Sequence, residues 1–297
     1  MKDLRIFDLG NAFGTMNGGT IRLSNITDAD KKMIMEMHNL SSLDSDYKFT
    51  KEDKSAIHMK HREAAGREYG FDHLKMFMMD QTDKKGTYHV FDKEYVEANP
   101  KGWSDIAQDI GIVTKEAPGV VACHPVADCP VIVMKDAKNG VTAVAHCSAE
   151  LIDKKLPMLM ADALLDYAGT KDEDIYTYVS SCAGPDWTYE GMPAWLNDWK
   201  MWSTTHGVEL EKENIVKNGV VTPKMHVILR NIIKQQLKDR NISLDNTKFS
   251  DIDTITNPYY YSNCASSTYG LNQPEKFGRN LVGAFYLDDE ETKGRHR

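Results

Sequence analysis

The segment that most constrains the fold is "GVVACHPVADCPVIVMKDAKNGVTAVAHCSAEL", from Gly119 to Leu151. Two valine-rich runs flank an Asn139–Gly140 pair, and this combination favours two strands joined by a tight turn. The pattern predicts a hairpin, with Ala122–Cys129 and Val141–His146 in neighbouring strands. Three of the five cysteines and two of the ten histidines lie here, so the predicted buried strands also carry reactive side chains.

The rest of the chain alternates between strand-like and helix-like segments. The spacing in "TDADKKMIMEMHNL" predicts a helix that buries Met33, Met37 and Leu40 on one face. Two further helices are predicted, in "LPMLMADALLDYAG", ending at Gly169, and in "PKMHVILRNIIKQQLKDRNI". Strands are predicted in "LKMFMMDQ", "GTYHVFD", "DIYTYVSSCAGP" and "NLVGAFYL". Interleaved strands and helices indicate a layered α/β or α+β fold.

Composition limits the classes of partner. A formal net charge of -8 and a pI near 5.7 argue against a nucleic-acid binder, because phosphate-backbone affinity comes from clustered Lys and Arg. The amino terminus has no continuous apolar region, and no window reaches the roughly 18 apolar residues that span a bilayer. We therefore expect a cytoplasmic protein that contacts neither nucleic acid nor a membrane. The sequence does not indicate an oligomeric state.

Cys129 and His146 are the candidate reactive pair. The five cysteines form no CxxC pair, so the sequence favours reduced thiols over a disulfide framework. Cys129 precedes a proline and His146 ends the next apolar run, so a hairpin can bring both side chains to one edge. Such a pair indicates an activated thiolate or two ligands of a metal ion. The structural alternative is a buried thiol and a histidine that never meet.

Motifs in the central segment resemble a known family. Gly111-Ile112-Val113-Thr114, Ala127-Asp128-Cys129-Pro130-Val131 and Ala143-Val144-Ala145-His146 fit, in order and spacing, the pattern D-G-[LI]-V-T, A-D-C-x-P and A-x-x-H-A-G-W-R-G. This pattern is that of the laccase-domain family, the YfiH-like proteins also called multicopper polyphenol oxidases, purine nucleoside phosphorylases or peptidoglycan editing factors. Weaker similarities occur in "AFGTMNGG", "HREAAGREYGFDHLKMFMMDQ", "CAGPDWTYEG", with Tyr189 and Glu190 in place, and "FGRNLVGAFYL".

The resemblance implies both a fold and an activity. The fold is a single domain over residues 10–287, with a central mixed β-sheet flanked by helices and with residues 1–9 and 288–297 as terminal extensions. The implied site holds zinc, rather than copper, through two His and one Cys, and leaves a fourth position open. Family members are described as phosphorolysing or deaminating purine nucleosides, so a nucleoside-like substrate is expected. Cys129 and His146 match two of the three ligands.

The third ligand departs from the family pattern. Gln81-Thr82-Asp83 stands where the family has Q-x-H-G, so we expect Gln81 and Asp83 at the site, with Asp83 as an oxygen ligand. His89 is an alternative if its loop is irregular. His124 is five residues from Cys129, an odd separation that places the two on opposite faces of a regular strand.

Arginines of the family pattern are also replaced. Met16, Glu150 and the segment "SNCAS" stand where arginines are expected, which removes anchors for an anion. We therefore expect phosphate to bind weakly or not at all. Either the substrate carries no phosphate and phosphorolysis is lost, or the site no longer catalyses.

Three hypotheses follow from these residues. The first and preferred one is a metal-dependent enzyme that acts on a purine nucleoside or a related small molecule through Cys129, His146 and Asp83. The second is a metal-free Cys/His hydrolase or deamidase in which His146 activates Cys129. The third is an inactive binding or structural protein, with Tyr259–Tyr261 and the tryptophans of "DWTYEGMPAWLNDWKMW" as a contact surface. For those tryptophans, core packing is favoured over a lid that stacks on a base.

Overall fold

The structure is a computed structural model. It describes residues 4–14, 28–44, 47–102, 106–185, 187–190, 193–210, 215–217, 220–222, 224–267 and 278–287. No helix among these residues is long and apolar enough to cross a bilayer.

The strands and helices alternate along the chain. The strands are β1 Leu4–Gly14, β2 Met76–Met78, β3 Tyr88–Val90, β4 Ile110–Thr114, β5 Val121–Val126, β6 Val131–Asp136, β7 Val141–His146, β8 Ile175–Val179, β9 Thr188–Glu190, β10 Val208–Leu210, β11 Ile215–Lys217, β12 Val220–Thr222, β13 Lys224–Val227, β14 Thr247–Phe249 and β15 Gly278–Tyr286. The helices are α1 Asp28–His38, α2 Lys51–Tyr69, α3 Lys93–Ala98, α4 Ala149–Asp153, α5 Leu156–Ala168, α6 Trp199–Thr204, α7 Leu229–Asp239 and α8 Asn263–Ser267.

Two mixed sheets dominate the described part of the chain. The four-stranded sheet has the order β1-β15-β5-β2, in which β2 runs parallel to β5 and the other neighbours are antiparallel. The six-stranded sheet has the order β14-β8-β6-β7-β4-β3, with an antiparallel centre and a parallel strand at each edge. β1 starts at Leu4, which pairs with Tyr286, so the sheet extends upstream of the domain start expected at Gly10.

The sheets pack face to face between two helical layers. Val126 and Val282 of the four-stranded sheet join Val133 and Val144 of the six-stranded sheet in one apolar cluster between them. The outer face of the six-stranded sheet packs on α5, against which α7 packs, and the outer face of the four-stranded sheet packs on α2. The α/β class is confirmed. The layered core, however, has two stacked sheets where a single central sheet was expected.

The predicted hairpin is present with a different first strand. β6 and β7 are antiparallel neighbours, and the Asp136 carboxylate closes their turn by accepting from the backbone N–H of Lys138 and Asn139, at 2.6 and 2.7 Å. Gly140 has a φ of +68°, as a tight turn requires. The prediction that Ala122–Cys129 lies beside Val141–His146 in one sheet is wrong, because β5 ends at Val126 and pairs with β15 and β2.

A buried carboxylate explains why the chain leaves the strand after Val126. The Asp128 carboxylate accepts hydrogen bonds from the hydroxyls of Thr254 and Ser262 and from the backbone N–H of Cys264, at 2.9, 2.6 and 2.7 Å. These donors lie outside both sheets, and a buried carboxylate must have them. Residues 127–130 therefore form a crossover from one sheet to the other, which we call the sheet crossover.

Two predicted helices differ in detail. α7 begins at Leu229, because Lys224–Val227 is strand β13 between β9 and β10. α1 buries Ile34, and Met33 of the predicted stripe packs beside it, while Met37 and Leu40 are exposed by 41% and 39%; the predicted stripe is therefore only partly its core face. α1 packs through Ile34 on Ile57 of α2. The helix α5 and its left-handed end at Gly169 are confirmed.

Candidate functional site

Cys129 and His146 both lie at one end of the central β6–β7 pair of the six-stranded sheet. His146 ends β7 and pairs with Val131, the first residue of β6. The backbone N–H of Cys147 donates to the carbonyl of Pro130 at 2.8 Å, which continues the ladder one pair further. Cys129 directly precedes Pro130, so both predicted residues lie at the same open end of the hairpin.

Gln81 fixes the tautomer of His146. The Gln81 side-chain nitrogen donates to two backbone carbonyls, of Asp109 at 3.2 Å and of His146 at 2.9 Å. Its side-chain oxygen lies 2.9 Å from Nδ1 of His146 and can only accept, so Nδ1 carries the proton. Nε2 of the neutral ring therefore presents a lone pair. Gln81 adopts a left-handed backbone conformation, with a φ of +58°, to make this contact.

His146 is neutral at physiological pH. Its enclosure by protein and the nearby Arg279 guanidinium lower the pKa of His146 to about 4. A neutral imidazole with a free Nε2 is the form that binds a metal or accepts a proton. The surroundings of His146 therefore prepare it for either role.

Cys129 lies in surroundings that oppose a free thiolate. Burial, and then the Asp128 carboxylate, raise the pKa of the Cys129 thiol to about 12, against an opposing contribution from the backbone N–H of Ala149. The residue as a whole is nevertheless partly exposed. A metal-free dyad requires a thiolate near pH 7, so these surroundings count against the hydrolase hypothesis. A bound cation removes this obstacle, since a metal-coordinated thiol is deprotonated.

His124 belongs to the same neighbourhood, and sequence reasoning missed it. His124 lies on the same face of β5 as Ala122 and Val126, and both of these residues face the six-stranded sheet. Its ring centroid lies 6.0 Å from that of His146, with a 47° angle between the planes. His124 is 2% exposed, and its Nε2 has no hydrogen-bond partner.

The exclusion of His124 rested on counting faces along one strand from His124 to Cys129. That count fails because β5 ends at Val126, before the sheet crossover. The signal that pointed to His124 was local, namely a histidine at an inward position of an otherwise apolar strand.

The Asp83 carboxylate is engaged by groups other than His146. Its carboxylate accepts from the Thr87 hydroxyl and from the backbone N–H of Lys85, the latter at 3.3 Å. It also lies beside the fully buried Asp109, whose pKa is raised to about 6, mainly by burial and further by the Asp83 charge. No three His, Cys, Asp or Glu side chains in the described ranges are gathered as a metal site. Metal binding by Cys129, His146 and Asp83 therefore stays a prediction.

The other candidate ligands, His89 and Cys147, pack against aromatic or apolar side chains. His89 lies on the edge strand β3, with its ring 4.3 Å from that of Tyr95 and 5.1 Å from that of Phe91. β4 separates β3 from β7. Cys147 is fully buried on the opposite face of β7, against the helices, as its position next to His146 predicts.

Glu150 stands at a position where an arginine was expected. Its negative charge is balanced by neighbouring lysines. Its carboxylate pairs with Lys84 at 2.7 Å and with Lys154 at 3.0 Å. Met16 lies outside the described residues. Glu150 thus replaces a positive side chain with an ion-paired negative one.

Arg279 is a cation close to His146. Its guanidinium carbon lies 5.3 Å from the ring centroid of Tyr261, a distance typical of a cation–π contact. Tyr260 and Tyr261 are buried, while Tyr259 is 78% exposed. Of these three tyrosines only Tyr259 is available as a surface contact.

Core packing is confirmed for part of the aromatic segment. Trp202 on α6 is fully buried, its ring centroid lies 5.2 Å from that of Trp195, and its indole N–H donates to the Asp153 carboxylate at 2.9 Å. Trp199 remains exposed. The side chains of Tyr189 and Glu190 lie outside the described part of the chain.

Comparisons with known proteins agree with this architecture. The solved structure of the hypothetical protein YfiH from Bacillus licheniformis is 16% identical, covers 78% of this chain and 82% of its own, and superposes with a TM-score of 0.59. YlmD from Geobacillus stearothermophilus is 14% identical, with 78% and 81% covered and a TM-score of 0.58. A Neisseria meningitidis protein is 12% identical, with 78% and 82% covered and a TM-score of 0.55.

These structural similarities show a shared fold. No curated protein matches the sequence. The model of the family described as "Multi-copper polyphenol oxidoreductase laccase" matches residues 36–274, which is most of the chain. The chain therefore belongs to the multi-copper polyphenol oxidoreductase laccase family, the YfiH-like laccase-domain proteins.

Proposed function

We propose that the chain is a zinc-dependent enzyme that acts on a nucleoside-like small molecule at the open end of the β6–β7 hairpin, where Cys129 and His146 lie. The observation that carries the proposal is the contact between Gln81 and His146. It fixes the Nδ1–H tautomer and leaves the Nε2 lone pair available.

The available donors suit zinc. Metal-binding histidines usually donate their second ring N–H to a carbonyl or carboxylate oxygen, and Gln81 provides such an oxygen to His146. The Cys129 thiol, with its pKa near 12, becomes a strong anionic donor once a cation displaces its proton. Sulfur and imidazole donors favour zinc over magnesium or calcium. When bound, zinc supplies Lewis acidity, which makes water nucleophilic near neutral pH.

The chain's own residues orient and limit the reaction. Gln81 holds the His146 ring in one orientation, so its Nε2 does not have to be reorganised during turnover. Glu150 is negative and already paired with lysines, which leaves it unsuited to hold phosphate. These features favour a neutral substrate, and hydrolytic deamination over phosphorolysis.

The test combines metal analysis with a nucleoside panel. Protein purified without chelator or nickel should contain zinc and should convert a purine nucleoside such as adenosine, followed by chromatography with and without phosphate. Cys129→Ser should lose both metal and turnover. Cys123→Ser is the matched control, because the Cys123 thiol faces α2 and donates to the carbonyl of Phe77 at 3.4 Å, a bond that serine can replace. Turnover of no nucleoside by zinc-loaded protein would refute the proposal.

A further inference from the structure

A groove opens between the two sheets, away from the Cys129 and His146 end of the β6–β7 hairpin. Its volume is about 340 Å³, within the range of small-molecule sites. Leu4 and Ile6 of β1 line one side, and the inner face of β6, β8 and β14 lines the other. β1 and β14 are edge strands of their sheets and Ile6 is 38% exposed, so the groove is open to solvent.

The strand register places a lysine beside each of two tyrosines on this inner face. Lys135 of β6 pairs directly with Tyr176 of β8. Lys248 of β14 pairs directly with Tyr178, two residues further along β8. Directly paired residues point to the same face of a sheet, and so do residues two apart on one strand. The tyrosines therefore form one surface with a cation at each side, and all four residues line the groove.

The groove carries an excess of positive charge, although the chain as a whole has a formal net charge of -8. Its described lining contains Lys135, Lys248 and one carboxylate, that of Asp245. Within the described ranges neither lysine forms an ion pair, and Lys135 lies over the Tyr286 ring, 5.9 Å from its centroid. A half-buried, unpaired ammonium favours an anion, and an excess of one charge suits a monoanion better than a phosphate dianion.

The two tyrosines are suited to hold a planar ring. The Tyr178 hydroxyl donates to the Asp8 carboxylate at 3.0 Å, which fixes the orientation of its ring. That carboxylate also accepts from the backbone N–H and the hydroxyl of Ser181, both at 2.8 Å. Tyr176 and Tyr178 are about 6.6 Å apart along the strand, close to the roughly 7 Å that seats one ring in contact with both. Val133, which pairs with Tyr178, is buried and adds apolar surface to the floor.

We infer that this groove is a binding site for a planar aromatic carboxylate. The ring lies between Tyr176 and Tyr178, and its carboxylate accepts from the ammonium of Lys135. Lys135 is four residues along β6 from Val131, the partner of His146, which corresponds to about 13 Å of strand. The groove is thus separate from the site proposed above, and neither proposal depends on the other.

The test is a calorimetric titration of the full-length protein with 2-naphthoate, a planar carboxylate. Two matched probes each remove one feature, since 2-naphthamide lacks the charge and decahydro-2-naphthoate lacks the planar ring. We expect 2-naphthoate to bind and 2-naphthamide to bind at least about 10-fold more weakly, because a charge-assisted hydrogen bond is lost. Decahydro-2-naphthoate should bind about 3- to 10-fold more weakly, because the aromatic contacts are lost. Absence of 2-naphthoate binding, or equal binding of either matched probe, would overturn the inference.

Lysine variants assign the binding to the groove. Lys135→Met should weaken 2-naphthoate binding by about 10-fold or more, because this lysine is half-buried. Lys248→Met should weaken it by about 2- to 5-fold, because Lys248 is exposed. Lys238→Met is the matched control, since it makes the same change in charge at an exposed position of α7, on the helical side of the six-stranded sheet. It should bind 2-naphthoate as wild type does. Unchanged affinity in Lys135→Met would contradict the assignment.

A second measurement uses the wild-type protein and avoids dependence on the folding of a variant. With methyl-labelled protein, nuclear Overhauser effects are expected from the 2-naphthoate ring to the methyl groups of Leu4, Ile6 and Val133. Effects to Val131 instead would place the ligand at the His146 end and overturn the inference. A stable dimer that is broken by Ile6→Arg, together with no binding of 2-naphthoate, would show that a second copy of the chain covers the groove.

Discussion

Gln81 and His146 hold each other through two hydrogen bonds, one from the His146 ring to the Gln81 side-chain oxygen and one from the Gln81 amide to the His146 carbonyl, both 2.9 Å long. The pair joins residues 65 positions apart in the sequence. It links the loop after β2 to the end of β7. The protonation state of the candidate site therefore depends on a loop outside the hairpin.

Replacing Gln81 with glutamate should raise the pKa of His146. The carboxylate would accept from Nδ1 and stabilise the imidazolium, against the burial and the Arg279 charge that now hold this pKa near 4. We expect a rise of about 1 to 3 units, measured by NMR titration of the ring. Gln235→Glu on α7 serves as the control and should leave the titration of His146 unchanged. A His146 pKa that stays near 4 in Gln81→Glu would show that this contact does not set its protonation.

Asp109→Asn should stabilise the protein above pH 6. The folded-state pKa of Asp109, raised to about 6 by burial and then by Asp83, lies above its unfolded value. The protonated carboxyl thus contributes stability below about pH 4 that is lost as the pH rises through 6. Since two pKa units correspond to about 3 kcal/mol, we expect a gain of about 1 to 3 kcal/mol at pH 7.5 that shrinks toward pH 4.5.

Urea unfolding of wild type and Asp109→Asn across this pH range measures the effect. Asparagine can still accept the N–H of Gly86, which donates to Asp109 at 2.7 Å. Equal stability differences at pH 4.5 and 7.5 would argue that Asp109 is already ionised in the folded protein.

The Cys129 thiol should alkylate slowly in metal-free protein. A pKa raised to about 12 leaves a thiolate fraction at pH 7 roughly three orders of magnitude below that of an ordinary cysteine. Iodoacetamide labelling followed by mass spectrometry should show this rate rising with pH. Fast labelling at pH 7 that disappears in His146→Gln would instead support the metal-free hydrolase.

Inorganic phosphate should bind weakly or not at all. Glu150 is ion-paired with Lys84 and Lys154, so the position where the family pattern has an arginine offers no free positive charge. Calorimetric titration with phosphate should detect no submillimolar site. Tight binding that is lost in Arg279→Gln would show that Arg279, beside His146, has taken over anion recognition.

The sequence by itself determined the local elements and the two residues at the hairpin end. The Asn139–Gly140 turn and the apolar run of Val141–His146 are local patterns, since a turn is set by adjacent residues and strand alternation by a period of two. The ordered motifs around Cys129 and His146 identified the family. The face that α1 buries did not follow fully from its spacing, because Met37 and Leu40 are exposed while Ile34 meets Ile57 of α2.

Only the tertiary structure decided which side chains surround His146. Counting faces from Cys129 back to His124 assumes one continuous strand. The buried Asp128 carboxylate instead binds donors from Thr254, Ser262 and Cys264, so residues 127–130 lie outside both sheets. His124 thereby stays on one sheet and faces His146 on the other. Gln81 reaches His146 through a backbone conformation that no residue pattern specifies. Contacts between elements distant in sequence depend on how the layers pack, and that information is not contained in any one segment.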